Sequence, residues 1–180
     1  MTQPLQPDQA SFYLHAICLP NLEREHRTTR TVIEAVPTAK WDYKPDTNCR
    51  TALEVVWHIV AAEKRFLEGI VNGQFNFEPI HRPESVQTSA QIGQWYEDMF
   101  QSVYARLQKL SAEQLVKPID FRGIFTQPAV LYCQLALNHS IHHRGQLSVY
   151  LRPMGAKVPA IYGESYDSAE ARKAQQAKSA

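Results

Sequence analysis

The sequence predicts an all-α fold, a four-helix bundle, on three observations. Apolar residues recur at steps of three and four through four long segments, and no stretch alternates convincingly as a strand would. Capping and stop signals frame those segments. The 180 residues hold no internal repeat and suit a single core, around which four helices close as a bundle with a long connection between the third and fourth.

The first helix is expected from about Pro7 to Val36. Pro20 must kink it or open a new first turn, because proline has no N–H for the ladder. Pro37 closes it, and the turn formers of KPDTNC lead onward. In the second helix Thr51 and Glu54 have the spacing of a capping box, and Asn72-Gly73 follows its end at about Val71. Within ALEVVWHIVAA, residues 52–62, only Glu54 and His58 are polar. A helix apolar nearly all round must be covered nearly all round, centrally in a bundle or by a second subunit, so a homodimer is expected. Residues 74–87, with Pro79 and Pro83, read as loop.

The third helix starts at Thr88 or Ser89 and repeats Ile92, Trp95, Met99, Val103, Leu107 and Leu110 at helical spacing. Glu97, Asp98, Gln101 and Lys109 form its solvated side. Residues 111–127 are too many for a tight turn and hold a candidate hairpin around Arg122-Gly123. The fourth helix opens near Pro128, a residue suited to a first turn, and ends near Pro153. Residues 155–163 read as an ordered extended segment. One domain is expected over residues 1–167, with 168–180 as a flexible tail.

Composition narrows the function classes. A net charge of +1, with 44% apolar and 21% charged residues, argues against a nucleic-acid or anionic-membrane partner, which a basic face would announce. No window approaches the apolar length of a membrane span, and MTQPLQPDQA lacks the basic and apolar regions of a signal peptide. A cytoplasmic protein is therefore expected, with Cys18, Cys49 and Cys133 as reduced thiols.

NHSIHHRGQL, residues 138–147, places His139, His142 and His143 on the fourth helix. His139 and His143 share a stripe with Tyr132, Ala136, Gln146, Leu147 and Tyr150, the face read as buried; His142 lies about 60° from His139. Histidines at i and i+4 can hold one ion, although a buried histidine paired with a carbonyl or carboxylate is commoner. His58 adds a third, on the stripe Val55, His58, Ala62 and Phe66. Three inward imidazoles without partners cost roughly a few kcal/mol each, and one divalent cation satisfies all three while keeping a fourth position open.

A neutral triad leaves the ion its full charge, enough to acidify a bound water or stabilise a thiolate. Glu54 and Glu63 are candidate bases, Glu54 doubling as a helix cap, and Gln146 can hydrogen-bond a ligand or support it. Arg144 and Arg152 are candidates for a substrate's carboxylates, or else cap the last carbonyls or pair at the surface. His15, His26 and His81 read as surface or loop residues. The donor set suits zinc or nickel foremost, and copper or iron as well.

HxxxHRGQL of His139–Leu147, TALEVVWHIVAAEKRFL of the second helix and VPAIYGESYD of residues 158–167 together resemble the DinB-like superfamily, over about residues 10–167. The resemblance implies a four-helix bundle, often dimeric, in which His58, His139 and His143 bind a metal and His142 does not. It implies less about the reaction, since members include metal-dependent transferases of bacillithiol, mycothiol or glutathione, together with isomerases and proteins taken to be hydrolases. One expectation is a divalent-metal enzyme that activates a low-molecular-weight thiol or water against a small electrophile. The alternatives are a non-catalytic metal-binding dimeric bundle and a dimeric module whose histidines are plain core residues. The family name reflects induction by DNA damage and implies no contact with DNA.

Overall fold

A computed structural model describes residues 4–179; residues 1–3, at the start of the expected domain, and residue 180, at the end of the expected tail, lie outside them. The first rod comprises α1 (Pro7–Phe12), a π-helical stretch (Tyr13–Cys18) and α2 (Leu19–Glu34). The π stretch sits where Pro20 interrupts the ladder. Leu19 N–H reaches back five residues to the Leu14 carbonyl, and the chain re-registers without breaking.

Helix α3 (Ala52–Asn72) starts at the expected capping box, with Glu54 N–H on Thr51 Oγ1 at 3.2 Å and Thr51 N–H on Glu54 Oε2 at 2.7 Å. It stops at Gly73, whose φ of 70° is the left-handed C-cap that glycine adopts without strain. Helix α4 (Ser89–Leu107) is capped by Thr88 and buries Ile92, Tyr96, Met99, Phe100, Val103 and Leu107. Trp95 and Leu110, expected on that stripe, are half-buried at its edge. Glu97, expected in solvent, is half-buried and paired with Arg30 at 3.0 Å, because α2 packs against that side of α4.

The connection after α4 carries a short helix, α5 (Ala112–Val116), and the expected hairpin, β1 (Pro118–Phe121) with β2 (Phe125–Pro128), paired antiparallel. Arg122 and Gly123 take positive φ at its tip. The Tyr132 hydroxyl donates to the Ile119 carbonyl at 2.7 Å and ties the hairpin to α6 (Tyr132–Leu151). Pro128 is the last strand residue, not a first helical turn; a 3₁₀ turn, Ala129–Leu131, separates it from α6.

The four long rods α1–α2, α3, α4 and α6 form the bundle, with α3 packed against α6 and α4, and α2 against α4 and α6. The remaining flank of α3 is covered by the loop of residues 74–87, where Trp57 Nε1–H donates to the Ile80 carbonyl at 2.7 Å. Most of the apolar surface of α3 is thus buried within one chain, while Leu53, Trp57 and Ala61 remain half-buried on the flank beside that loop.

Residues 152–165 run back along the bundle. Asp167 accepts from Val158 N–H at 2.8 Å and pairs with Arg152 at 2.9 Å, closing the segment on itself. Beyond it α7 (Tyr166–Ser179) occupies the segment expected as a tail; it buries no residue and starts from a reciprocal Ser165–Ser168 cap. No helix among the described residues is long and apolar enough to cross a membrane.

Candidate metal centre

The packing of α3 on α6 brings His58 to His139 and His143. His58 Nε2 lies 3.1 Å from His143 Nε2 and 3.0 Å from His139 Nε2. At zinc–nitrogen bonds of about 2.0–2.1 Å, tetrahedral geometry separates two ligand nitrogens by about 3.3 Å. These two spacings are close to that, and all three ligand nitrogens lie within 4.8 Å of one another. The His143 Nδ1–H donates to Gln146 Oε1 at 2.9 Å, which leaves Nε2 with its lone pair facing the cluster. His139 Nδ1 is buried without a hydrogen-bond partner among the described residues. Hydrogen bonding alone can join the three Nε2 atoms only if one proton on His58 is shared between two acceptors; a cation meets all three lone pairs.

The electrostatics favour lone pairs over protons. Burial first, then the charges of Arg50 and His143, lowers His58 to about 4. Burial, His143 and His58 lower His139 to about 4, and burial also lowers His143 against its Gln146 bond. Arg50 bears on all three rings. All three are neutral at pH 7, the state that ligates a metal. His142 is exposed on the outer flank of α6, its ring edge-on to that of His143 at 4.7 Å, and it does not join the cluster.

The histidines do not sit where the apolar stripe implied. The buried arc of α6 centres on Ser140, Arg144, Leu147 and Leu151, roughly 80° round the helix from His139 and His143. The triad is half-buried at the edge of that arc, open to solvent-filled space. Two clefts meet at His58. One, of about 450 Å³, is walled by Arg50, Glu54, Trp57, Ile80 and Arg82. The other, of about 310 Å³, also reaches His139 and is walled by Phe66, Phe77, Phe121, Arg65 and Arg122.

The remaining candidates separate. Glu54 borders the larger cleft, but its carboxylate is engaged by Thr51 N–H, which with the Thr51 hydroxyl holds it below the usual carboxylate range. Glu63 faces the core, where it accepts from the Tyr96 hydroxyl at 2.5 Å and the Ser140 hydroxyl at 3.0 Å and pairs with His26 Nδ1 at 2.7 Å. His26, expected at the surface, is therefore buried, its ring stacked 3.9 Å from that of Phe100. Arg144, expected at the helix end or on the surface, is 1% exposed and paired with Glu25 at 2.7 Å, and Arg152 is held by Asp167. Neither reaches the clefts.

The cations that do line them, Arg50, Arg65, Arg82 and Arg122, went unread in the sequence. Arg65 was within reach, since it lies seven residues after His58 and so on the same helical face. Arg122 stands on a hairpin whose docking beside the triad no local pattern reports. Cys18 and Cys133 are buried free thiols in contact with each other, and Cys49 is half-buried; among the described residues none joins the histidine cluster.

Known proteins resemble this chain in sequence and fold. YjoA of Bacillus subtilis (strain 168), described only as an uncharacterized protein, is 33% identical over 135 residues, 72% of this chain and 84% of its own. YrdA of the same organism, also uncharacterized, is 31% identical over 113 residues, 61% of this chain and 64% of its own. The crystal structure of YjoA, a DinB-like protein, superposes with a TM-score of 0.68 at 26% identity, covering 82% of this chain and 99% of that one. A DinB-like protein from Bacillus cereus ATCC 10987 gives the same TM-score at 25% identity, with 81% and 95% covered. The sequence profile of the DinB family matches residues 14–177, a span that takes in α2, α3, α4 and α6, the hairpin and the three histidines; the chain belongs to the DinB family.

Proposed function

We propose that the chain is a divalent-metal-dependent enzyme in which His58, His139 and His143 hold the ion and a low-molecular-weight thiol or water is the nucleophile toward a small electrophilic substrate. One observation carries the reading: three neutral imidazoles bring their ring nitrogens together, His58 Nε2 lying 3.0 and 3.1 Å from those of His139 and His143 and all three within 4.8 Å of one another, at the junction of two clefts. A structural ion needs no such access. When bound, the ion supplies Lewis acidity that favours the thiolate or hydroxide form of the nucleophile.

The chain's own residues do the rest. Gln146 fixes the His143 tautomer through Nδ1–H. Trp57 anchors the loop that walls the larger cleft. Arg50, with no carboxylate partner among the described residues, adds positive potential beside the triad. That potential draws an anionic nucleophile or substrate toward it. A small molecule, and no nucleic acid, suits a chain of net charge +1 with clefts of this size.

Elemental analysis of tag-free protein tests the reading, beside His58→Ala and His139→Ala. About one ion per chain in the wild type, lost in both variants while the helical circular dichroism persists, is the expected result. A wild-type chain that takes up neither zinc nor nickel refutes it. An ion held with all its coordination positions filled by protein reassigns the site to a structural role.

A further inference from the structure

The cleft shared by His58 and His139 carries positive charge without a counterion. Arg65 and Arg122 lie over the Phe77 ring, 6.0 and 4.2 Å from its centroid. Arg65 donates to the carbonyls of Asn76 at 3.0 Å and Glu78 at 2.9 Å, contacts that orient the guanidinium without neutralising it. Asp120, the nearest acid in sequence to Arg122, is engaged by Gly123 N–H at 2.8 Å and the Thr126 hydroxyl at 3.3 Å. Among the described residues neither arginine is paired with a carboxylate. Arg122 also stands at a φ of 58°, in the left-handed region that side chains other than glycine, asparagine and aspartate avoid. The hairpin tip thus holds a cation over an aromatic face beside a triad that brings no negative charge. The apolar wall is built: Phe66 and Phe121 stack with centroids 5.8 Å apart and planes 8° apart.

We propose that this cleft is the subsite for an organic anion, whose carboxylate is taken by Arg122 with Arg65 and whose apolar body lies on Phe66, Phe77 and Phe121. The proposal rests on the metalloenzyme reading and adds the substrate class: a carboxylate-bearing molecule with an aliphatic or aromatic arm, its reactive end toward His58 and His139. The larger cleft differs in its lining: the Glu54 carboxylate stands there with Arg50 and Arg82, Trp57 supplies its aromatic wall, and Arg82 is bound to the Val86 carbonyl and lies over Trp41 at 5.3 Å.

Calorimetric titration with 4-phenylbutanoate and its uncharged amide, 4-phenylbutanamide, tests this on the protein as purified and after treatment with a chelator. The carboxylate is expected to bind at least tenfold more tightly than the amide in both preparations. Arg122→Asn, which tolerates left-handed backbone and so preserves the hairpin, is expected to abolish the preference. Arg122→Lys is expected to keep most of it, and Arg82→Gln all of it. Equal binding of acid and amide to the wild type, or binding of neither, overturns the proposal. A preference that vanishes with the metal and survives Arg122→Asn also overturns it, since the ion would then hold the carboxylate; the metalloenzyme reading would stand.

Discussion

Arg144→Met removes the cation that α6 drives into the core. The guanidinium contacts Glu25 Oε2 at 2.7 Å, the Glu25 carbonyl and Thr29 Oγ1 at 3.3 Å each, and the Tyr162 hydroxyl at 2.6 Å. Glu25 is only 4% exposed, so the variant leaves its carboxylate buried with the Tyr162 hydroxyl at 2.8 Å as the main donor. Breaking a buried pair from one side costs about 3–5 kcal/mol. For a domain of this size that lowers Tm by roughly 6–20 °C. The double variant Glu25→Gln/Arg144→Met removes the orphaned charge and is expected to be more stable than Arg144→Met alone. Urea unfolding of the four proteins closes the cycle.

The pair also has an acid signature. Burial alone would raise the Glu25 carboxyl, yet the Tyr162 and Arg144 hydrogen bonds outweigh it and the folded value lies below the ordinary one. Its contribution is therefore present above the unfolded carboxylate's pKa, about 4.3, and is lost as pH falls through the lower folded value. The stability gap between wild type and Arg144→Met should narrow below about pH 4. A cost under about 1 kcal/mol, additive single variants, or a gap that widens in acid would refute the reasoning.

Gln146→Leu deletes the acceptor of His143 Nδ1–H and is expected to weaken metal affinity about 10–100-fold, measured by competition with a chromophoric chelator. Glu54→Gln keeps an acceptor for Thr51 N–H and is expected to leave metal uptake and any turnover within about twofold, against the roughly 10²–10⁴-fold loss of a general base. Tyr96→Phe removes a fully buried donor to Glu63 and is expected to cost about 1–3 kcal/mol in denaturant unfolding, with metal content unchanged.

What the sequence disclosed was what local chemistry decides. The Thr51–Glu54 box, the Thr88 cap, the Gly73 stop and the Arg122-Gly123 hairpin each depend on a few neighbouring residues, and all four are present. The convergence of His58 with His139 and His143 was legible because a polar residue amid an apolar helix, and an i, i+4 pair, are local patterns too. The rotation of α6 was not. Ser140 and Arg144 are polar yet central to its buried arc, so a stripe drawn through apolar residues misses the true centre. Their partners, Glu63 and Glu25, are 77 and 119 residues away. His26 was misread for the same reason, its carboxylate partner lying 37 residues on in another helix.

That misreading locates the device that aims the triad. On α6 each cluster histidine is followed at once by a polar residue turned into the core: Ser140 after His139, bonded to Glu63, and Arg144 after His143, bonded to Glu25. Successive residues differ by about 100°, so when one side chain is anchored inward the preceding one is directed along the helix flank. Ring nitrogens stand about 6 Å from the helix axis, where a 10° rotation displaces them by roughly 1 Å, enough to spoil a coordination shell. Apolar residues in place of Ser140 and Arg144 together with their partners Glu63 and Glu25 could fill the core, and would leave that rotation to packing alone. Hydrogen bonds to two buried carboxylates on two other helices, α3 and α2, set it at two heights one turn apart. Tyr162, whose hydroxyl completes the Glu25–Arg144 pair, brings the extended segment into the same anchor. The buried charges of this bundle, which are poor value as stabilisers, are accounted for as the frame that holds three neutral imidazoles on one point.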